Sequence, residues 1–241
     1  MKQNNDGAMP ITSHLLELRK RLVIIFLTVL VFSFISFLFS EDLIKNLMSL
    51  SKGYKFIYNT PEALIIQSLK LAIISGIVLS SPVIFFNIWM FVSPALKVTE
   101  RVVITIIFTL GVVLFLVGCV FAYYIIIPFV LKFFVESNSI SELQAYVTLE
   151  GYISIIVSFF IAFGLVFELP VVLLCLDIAG IARRKTFVNM RKFAIVIICI
   201  VSGIITPPDV FSLVVTAIPM VILFELSLFI MYLYEKITKK N

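Results

Sequence analysis

Charged residues are scarce in this sequence. They make up 14% of its 241 residues, whereas a soluble domain carries roughly 25%. Histidine occurs once, as His14, and the chain lacks the motifs of a P-loop, a serine-hydrolase elbow and a zinc protease. Its three cysteines stand singly in apolar runs, without the C-x-x-C spacing of a metal or redox site. These absences argue against an enzyme, and we expect no cofactor and no metal site.

Apolar residues are abundant instead. They account for 61% of the chain, and the mean hydropathy is +1.16. This composition predicts an all-α polytopic membrane protein. The length suits six spans with short loops, so we expect residues 1–241 to form one integral membrane domain. The first ten residues are polar and no cleavage site follows the first apolar run, so we expect that run to stay as an anchor.

Six apolar segments are predicted to cross the membrane. They are Leu22–Phe39, Leu71–Val92, Val102–Ile127, Ile153–Leu176, Phe193–Thr206 and Val210–Tyr234. The fifth would measure about 21 Å as a helix, well short of the roughly 30 Å of hydrocarbon. The tight turn TPPD joins it to the sixth, so we expect a hairpin of short fifth and sixth spans.

Lysine and arginine predict the orientation of these spans. With the N-terminus in the cytoplasm, 14 of the 19 basic residues lie on the cytoplasmic side. The outer segments hold the other five, Lys45, Lys52, Lys55, Lys70 and Lys132. Six spans return the chain to its starting side, so both termini are expected in the cytoplasm. The outer loops, about 40–70 and 128–152 and punctuated by Pro61 and Pro128, are expected to form an external cap.

Two acidic residues lie among the cytoplasmic basic residues. The simplest role of Glu17, in HLLELRKRL, is an ion pair with Arg21 four positions later. Glu100, in SPALKVTER, would complement the dipole at the start of the third span. Together they also supply two carboxylates near the headgroups, where an arginine-bearing peptide can dock. A carboxylate binds guanidinium through paired, charge-assisted hydrogen bonds that lysine does not copy. Both interpretations stay open.

Three more acidic residues lie in or beside the apolar spans. Glu168 belongs to AFGLVFELPVVLLCL in the fourth span, Asp209 opens the sixth, and Glu225 lies inside the sixth. An ionised carboxylate at the bilayer centre costs about 3 kcal/mol or more, so these groups should face protein or water. Asp209 has a structural explanation as a helix N-cap. For Glu168 and Glu225, a polar contact to another helix or an ion path stands beside a structural role.

Six short motifs follow one another along nearly the whole chain. They are HLLELRKRL, LSSPVIFFNIWMFVSPAL, FAYYIIIPF, FGLVFELP, TPPDVFS and IPMVILFE. Each is weak alone, but their order and spacing are specific. In this pattern the chain resembles TatC, the multispanning core subunit of the twin-arginine protein translocase.

The resemblance implies a function that the residues alone do not supply. A TatC-like protein recognises signal peptides with consecutive arginines on folded cargo. With single-span TatA/TatB-type subunits, it moves that cargo across the bacterial cytoplasmic (inner) membrane, or an organellar equivalent, using the proton-motive force. The resemblance also implies a membrane-lipid environment, homo-oligomers within the receptor complex and no nucleic-acid partner.

The resemblance also implies roles for particular residues. Glu17, Phe91 and Glu100 would bind the signal peptide. Glu168 would lie on a concave intramembrane face open to a partner's or signal's helix. The fifth and sixth spans, with Asp209 and Glu225, would form a partner-docking region with local membrane thinning.

Two other functions compete with this interpretation. A proton-coupled secondary transporter would use Glu168 and Glu225 as relay carboxylates. That explains the buried acids but neither Glu17 nor Glu100, and the chain shows no internal repeat of the transporter kind. A passive scaffold for other membrane proteins would tolerate neutral replacement of all these acids.

Overall fold

The structure, a computed structural model, describes the backbone of residues 11–51, 55–92, 98–137, 146–206 and 208–238. It describes side chains for 15–51, 55–91, 105–134, 147–206 and 208–236. The helices are α1 (Ile11–Leu38), α2 (Ser40–Ser49), α3 (Ala63–Val92), α4 (Val98–Phe121), α5 (Ile127–Ser137), α6 (Leu149–Val166), α7 (Leu169–Ile178), α8 (Arg184–Asn189), α9 (Arg191–Ile205) and α10 (Val210–Thr238). Two short strands, β1 (Lys55–Ile57) and β2 (Tyr146–Thr148), complete the described elements.

Apolar helices dominate the fold, which confirms the all-α membrane architecture. In the described part of the chain, five helical segments are long and apolar enough to cross a membrane: Leu15–Leu38, Ala63–Phe91, Thr105–Phe134, Leu149–Ile178 and Val210–Lys236. They contain the predicted spans one to four and six, apart from Phe39, Val92 and residues 102–104 at three span ends. The predicted fifth span corresponds to α9, whose 15 residues measure about 22 Å.

The sixth span is not short, contrary to expectation. α10 has 29 residues, almost twice as many as α9. The two helices form the expected hairpin, but α10 continues beyond it and packs against α7 and α8. Contacts with these other helices, rather than the hairpin, support the second half of α10.

Pro128 lies inside a helix rather than in a loop, which corrects the predicted end of the third span. α4 leads into a π-helical turn, Ala122–Ile126, and α5 then runs from Ile127 to Ser137. Proline has no N–H and its ring crowds the carbonyl four residues earlier. The wider π turn directly before Pro128 changes the hydrogen-bond register there, so the chain stays helical through the proline.

The fourth span is broken at Phe167 and Glu168, between α6 and α7. Pro170 lies in the first turn of α7 and therefore donates no hydrogen bond to the carbonyl of Val166. The amide of Glu168 bonds instead to Leu165 O, three residues back, at 3.1 Å. This proline therefore interrupts the helix beside the acidic residue.

The two segments predicted to be the larger outer loops meet in a cap. β1 and β2 pair in parallel, with Phe56 opposite Val147. Below them, the Tyr152 hydroxyl donates to Leu47 O of α2 at 2.5 Å, and its ring packs edge-on against Phe56 with centroids 4.8 Å apart. The expected cap therefore forms from segments about ninety residues apart in sequence.

α1 and α3 form the closest helix pair. The end of α1 lies beside the start of α3, where Phe39 and Leu71 line one cavity, so the two helices run antiparallel. Their backbones approach at Gly76, where an added Cβ would lie 2.6 Å from Ser33 N. Small residues at such crossings let membrane helices gain packing without a hydrophobic force between them.

Two clusters of buried side chains form the core. One surrounds α6 and includes Ile153, Phe159 and Phe163. The other lies along α10, where Met220, Leu228 and Met231 pack against α7 and α9. α3 reaches the first cluster through Leu71, whereas α1 contributes none of the buried residues of either cluster. Many apolar residues of α1 and α3 are exposed, as expected of a surface in contact with lipid.

The close approach at Gly76 generates a stability prediction. We expect Gly76→Ala to destabilise the protein by about 1–3 kcal/mol, because the new methyl group meets backbone that cannot move aside cheaply. Thermal unfolding of the detergent-solubilised protein measures this. Gly203→Ala is the matched control, since its Cβ would meet only Leu213 Cδ1, at 3.4 Å. Equal unfolding temperatures for the two variants would contradict the prediction.

Candidate functional site

Glu168 lines an apolar cavity within the membrane-spanning part of the protein. The cavity has a volume of about 610 Å³ and is bounded by α3, α4, α6 and α7. Phe85 and Phe115 form part of its wall, while Leu165 and Val172 lie at its lipid-exposed rim. The break between α6 and α7 places the Glu168 side chain on this wall. Glu168 thus faces a recess in the protein rather than the lipid surface.

Two polar atoms in this cavity, Glu168 Oε1 and Ser81 Oγ, lack partners among the described residues. Glu168 is only 7% exposed, and its Oε1 accepts no hydrogen bond there. Ser81 Oγ, on α3 just before Pro82, is also buried and without a partner. Gly111 of α4 approaches closely, since a Cβ there would lie 3.0 Å from Glu168 Oε2. The arrangement offers a carboxyl and a hydroxyl to any group that enters the cavity.

Glu17 is half-buried and paired within α1. Arg21 Nη2 donates to Glu17 Oε1 at 3.2 Å, which is the ion pair that the spacing predicted. The pair lies at the end of α1 remote from the cap. Glu17 precedes Ser33 by 16 residues, and Phe91 follows Gly76 by 15. Antiparallel packing from the Ser33–Gly76 contact therefore brings Glu17 and Phe91 to similar heights.

Glu100 is the third residue of α4, which begins at Val98. Its backbone position, in the first turn of the helix, suits a carboxylate that complements the helix dipole. α4 packs against α3, whose last residue is Val92. The Glu100 side chain lies outside the residues whose side chains are described.

Asp209 caps α10, as its position before the helix suggested. Its Oδ1 accepts a hydrogen bond from the Ser212 amide at 2.7 Å. Its Oδ2 is buried and has no partner among the described residues. Nearby, Ser202 Oγ of α9 donates to Leu213 O at 2.8 Å and also bonds to Thr216 Oγ1. Buried hydroxyls therefore join the two helices of the hairpin.

Glu225 has a partner that the sequence did not reveal. Arg191, the first residue of α9, donates to Glu225 Oε2 at 2.8 Å. Both side chains are nearly half exposed, at 46% for Arg191 and 43% for Glu225. A second basic residue, Arg184, bonds to Leu228 O at 3.3 Å and lies 3.7 Å from Glu235. These contacts hold α8 and the start of α9 against α10.

The predicted intramembrane acids do not form one cluster. The lining of the Glu168 cavity includes neither Asp209 nor Glu225. Each has a local polar contact of its own, Asp209 with the α10 amide and Glu225 with Arg191. The described residues therefore provide no chain of carboxylates from Glu168 to Glu225.

Comparison with known proteins decides the family. The family model described as "Sec-independent protein translocase protein (TatC)" matches residues 13–219. The chain belongs to the TatC family. It is 35% identical to the TatC protein of Magnetococcus marinus, over 95% of this chain and 86% of that protein. It is 34% identical to the TatC of Aquifex aeolicus, over 92% and 94% of the two chains.

A solved structure agrees with this assignment. A crystal structure of the twin-arginine translocase receptor TatC superposes with a TM-score of 0.82 at 33% identity, covering 91% of this chain and 98% of that one. This TatC-family protein is thus a core component of the Sec-independent, twin-arginine translocation system and is not an enzyme. The proton-coupled transporter is not supported.

Three polar residues described above, Ser81, Arg191 and Ser202, were not predicted from the sequence. Ser81 lies in the quoted motif LSSPVIFF, where its position beside Pro82 was the available signal. Arg191 and Ser202 carried no local signal, because their partners lie on α10. The burial and partners of all three depend on contacts between helices.

The Arg191–Glu225 contact predicts energetic coupling. We expect Arg191→Gln and Glu225→Gln each to lower the unfolding temperature. The loss of stability in the double variant should be smaller than the sum of the two single losses. For side chains this exposed, the coupling should be about 0.5–1 kcal/mol. Thermal unfolding of the unchanged protein, the two single variants and the double variant measures this coupling. The control is Lys192→Gln, at an exposed neighbouring position, and strictly additive losses from Arg191 and Glu225 would show that the pair is not coupled.

Proposed function

We propose that this chain is the membrane-embedded receptor of its translocase, which binds twin-arginine signals at its cytoplasmic end and a helix in the Glu168 cavity. The observation that carries the proposal is the buried Oε1 of Glu168, which has no partner among the described residues, in a recess of about 610 Å³. A polar group costs several kcal/mol in hydrocarbon unless it finds a partner. An incoming helix with a polar side chain would supply that partner.

The proposed topology has six spans with both termini in the cytoplasm. The distribution of lysine and arginine supports this orientation, and the five long apolar helices together with α9 supply the spans. Residues 1–241 then form one membrane domain. The bacterial cytoplasmic membrane, or an organellar equivalent, is the proposed location.

The proposed signal site consists of Glu17, Phe91 and Glu100. The first two lie at similar heights on neighbouring helices, and Glu100 follows at the start of α4. Two carboxylates suit two guanidinium groups, because each can accept charge-assisted bonds from the planar arginine fork. Phe91 would contribute an apolar surface beside them.

The proposed partner site inside the membrane is the Glu168 cavity. Helices in lipid have no hydrophobic reason to associate, so packing and polar contacts must hold them together. Glu168 and Ser81 present such contacts in an otherwise apolar wall. Single-span TatA/TatB-type subunits, or the apolar part of a signal peptide, are the proposed occupants.

The α9–α10 hairpin is the proposed second docking region. α9 measures about 22 Å, against roughly 30 Å of hydrocarbon. The bilayer beside α9 would therefore thin, or a partner helix would shelter its ends. Asp209 lies at the turn end of the hairpin and Glu225 near the start of α9, so both acids would lie near the edges of this thinner layer.

The proposed energy source is the proton-motive force, consistent with a sequence that lacks a P-loop. Assembly of several copies within a receptor complex is part of the proposal. In such a complex, each chain would contact several partners, through the Glu168 cavity and through the α9–α10 hairpin.

The signal site predicts a loss of binding. We expect Glu17→Ala and Glu100→Ala each to weaken photo-crosslinking of a labelled twin-arginine signal at least tenfold, since a charge-assisted bond is worth about 1.5–3 kcal/mol. Crosslinking to membranes that contain each variant measures the effect. Glu41→Ala is the matched control, because Glu41 is an exposed acid on α2, which follows the end of α1 remote from Glu17. Undiminished crosslinking in both test variants would refute the site.

The intramembrane site predicts a difference between two replacements. We expect Glu168→Gln to keep more export than Glu168→Leu, because glutamine retains polar contacts and leucine does not. Complementation of a strain that lacks its own TatC, read as export of a folded twin-arginine reporter, measures this.

A matched replacement at Glu41 serves as the control for the Glu168 pair. Glu41→Leu should export normally, because Glu41 is largely exposed and far from the cavity. Equal export by Glu168→Leu and the unchanged protein would remove the claim of a polar contact.

A further inference from the structure

The Glu17–Arg21 ion pair differs from the other ion pair of the same spacing in the described residues. Glu41 and Lys45, on α2, are 88% and 70% exposed. Glu17 and Arg21 are only 21% and 17% exposed. Water therefore screens the first pair strongly and the second much less. The charge of Arg21 acts on Glu17 more effectively than an exposed cation would.

The bond between Glu17 and Arg21 is also incomplete. It joins one nitrogen, Arg21 Nη2, to one oxygen, Glu17 Oε1. Arg21 Nε is buried and has no acceptor among the described residues. An arginine and a carboxylate can form two parallel bonds, and this pair forms one. Glu17 is thus held by a guanidinium through a single hydrogen bond, and a better-placed guanidinium can displace Arg21.

We propose that Arg21 is an intramolecular competitor for the arginines of the signal peptide. It occupies Glu17 with the same chemical group that the signal would bring. This inference rests on the proposed function, in which Glu17 binds a signal arginine. Binding then requires that Arg21 release Glu17, so the apparent affinity is lower than the intrinsic affinity of the carboxylate.

The competition lowers the affinity for all cationic ligands and leaves the preference among them unchanged. Arg21 reduces the affinity of every cationic ligand by the same factor, because each must displace the same internal bond. The ratio of the affinities for an arginine-pair signal and a lysine-pair signal is therefore unchanged. What changes is the threshold, since ligands with weak intrinsic binding fall below a useful affinity. Arg21 is in this sense a positioning residue that acts through Glu17.

The test measures binding of two labelled synthetic signal peptides, one with an arginine pair and one with a lysine pair, to the purified full chain in lipid nanodiscs. We expect Arg21→Gln to tighten binding of both peptides by roughly two- to fivefold, the range expected from loss of a weak ion pair. Arg21→Lys, which keeps the charge, should stay closer to the unchanged protein. The ratio of the affinities for the two peptides should stay constant.

Two controls separate competition from other effects. Arg19→Gln removes the same charge from an exposed position two residues from Glu17. Residues two apart on a helix do not face each other, so this variant should leave binding unchanged. The double variant Glu17→Ala/Arg21→Gln should bind no better than Glu17→Ala, because the effect of Arg21 passes through Glu17.

The outcomes distinguish this inference from the proposed signal site. If Glu17→Ala binds as well as the unchanged protein, the signal site itself is wrong. If Glu17→Ala loses binding while Arg21→Gln is unchanged or weaker, the site stands and the competition is refuted. An equal gain in Arg19→Gln would assign the effect to general charge, and would also overturn it. The yield of inserted protein, measured for each variant, identifies any failure to fold.

Discussion

Polar groups in hydrocarbon need partners, and this constraint governs most of the structure. Thr28, Ser158 and Ser227 each bond to the carbonyl four residues earlier in their own helices. The hydroxyls of α9 and α10 bond across the hairpin. Some buried atoms depart from this behaviour, and in the cavity these are Glu168 Oε1 and Ser81 Oγ, which have no partner among the described residues. Under the proposed function, an incoming polar group would supply that partner.

Proline and glycine shape the recess around Glu168. Pro170 removes a helix hydrogen bond where α6 gives way to α7, and Glu168 lies at that break. Gly111 lets α4 approach the carboxyl closely. Pro82 lies inside α3 beside Ser81, on the opposite wall. The residues that disturb regular helices therefore coincide with the polar part of the cavity.

The acidic residues divide into those that hold the fold together and those that offer contacts. Asp209 caps α10, and Glu225 joins it to Arg191 at the start of α9. The contact of Glu225 holds the start of the short α9 against a much longer neighbour. Glu168 Oε1 takes part in no such contact among the described residues. Glu17 lies between the two classes, because its bond to Arg21 leaves room for a better donor.

Local sequence determined the apolar helices, the short α9 and the Asp209 cap. These depend on composition over one segment or on contacts three or four residues apart, which spacing alone reveals. The tertiary structure decided the partner of Glu225 and the direction in which Glu168 faces. Arg191 and Glu225 are 34 residues apart, and the Glu168 cavity has walls from four helices. Such contacts form only when helices pack, because packing sets which side chains meet.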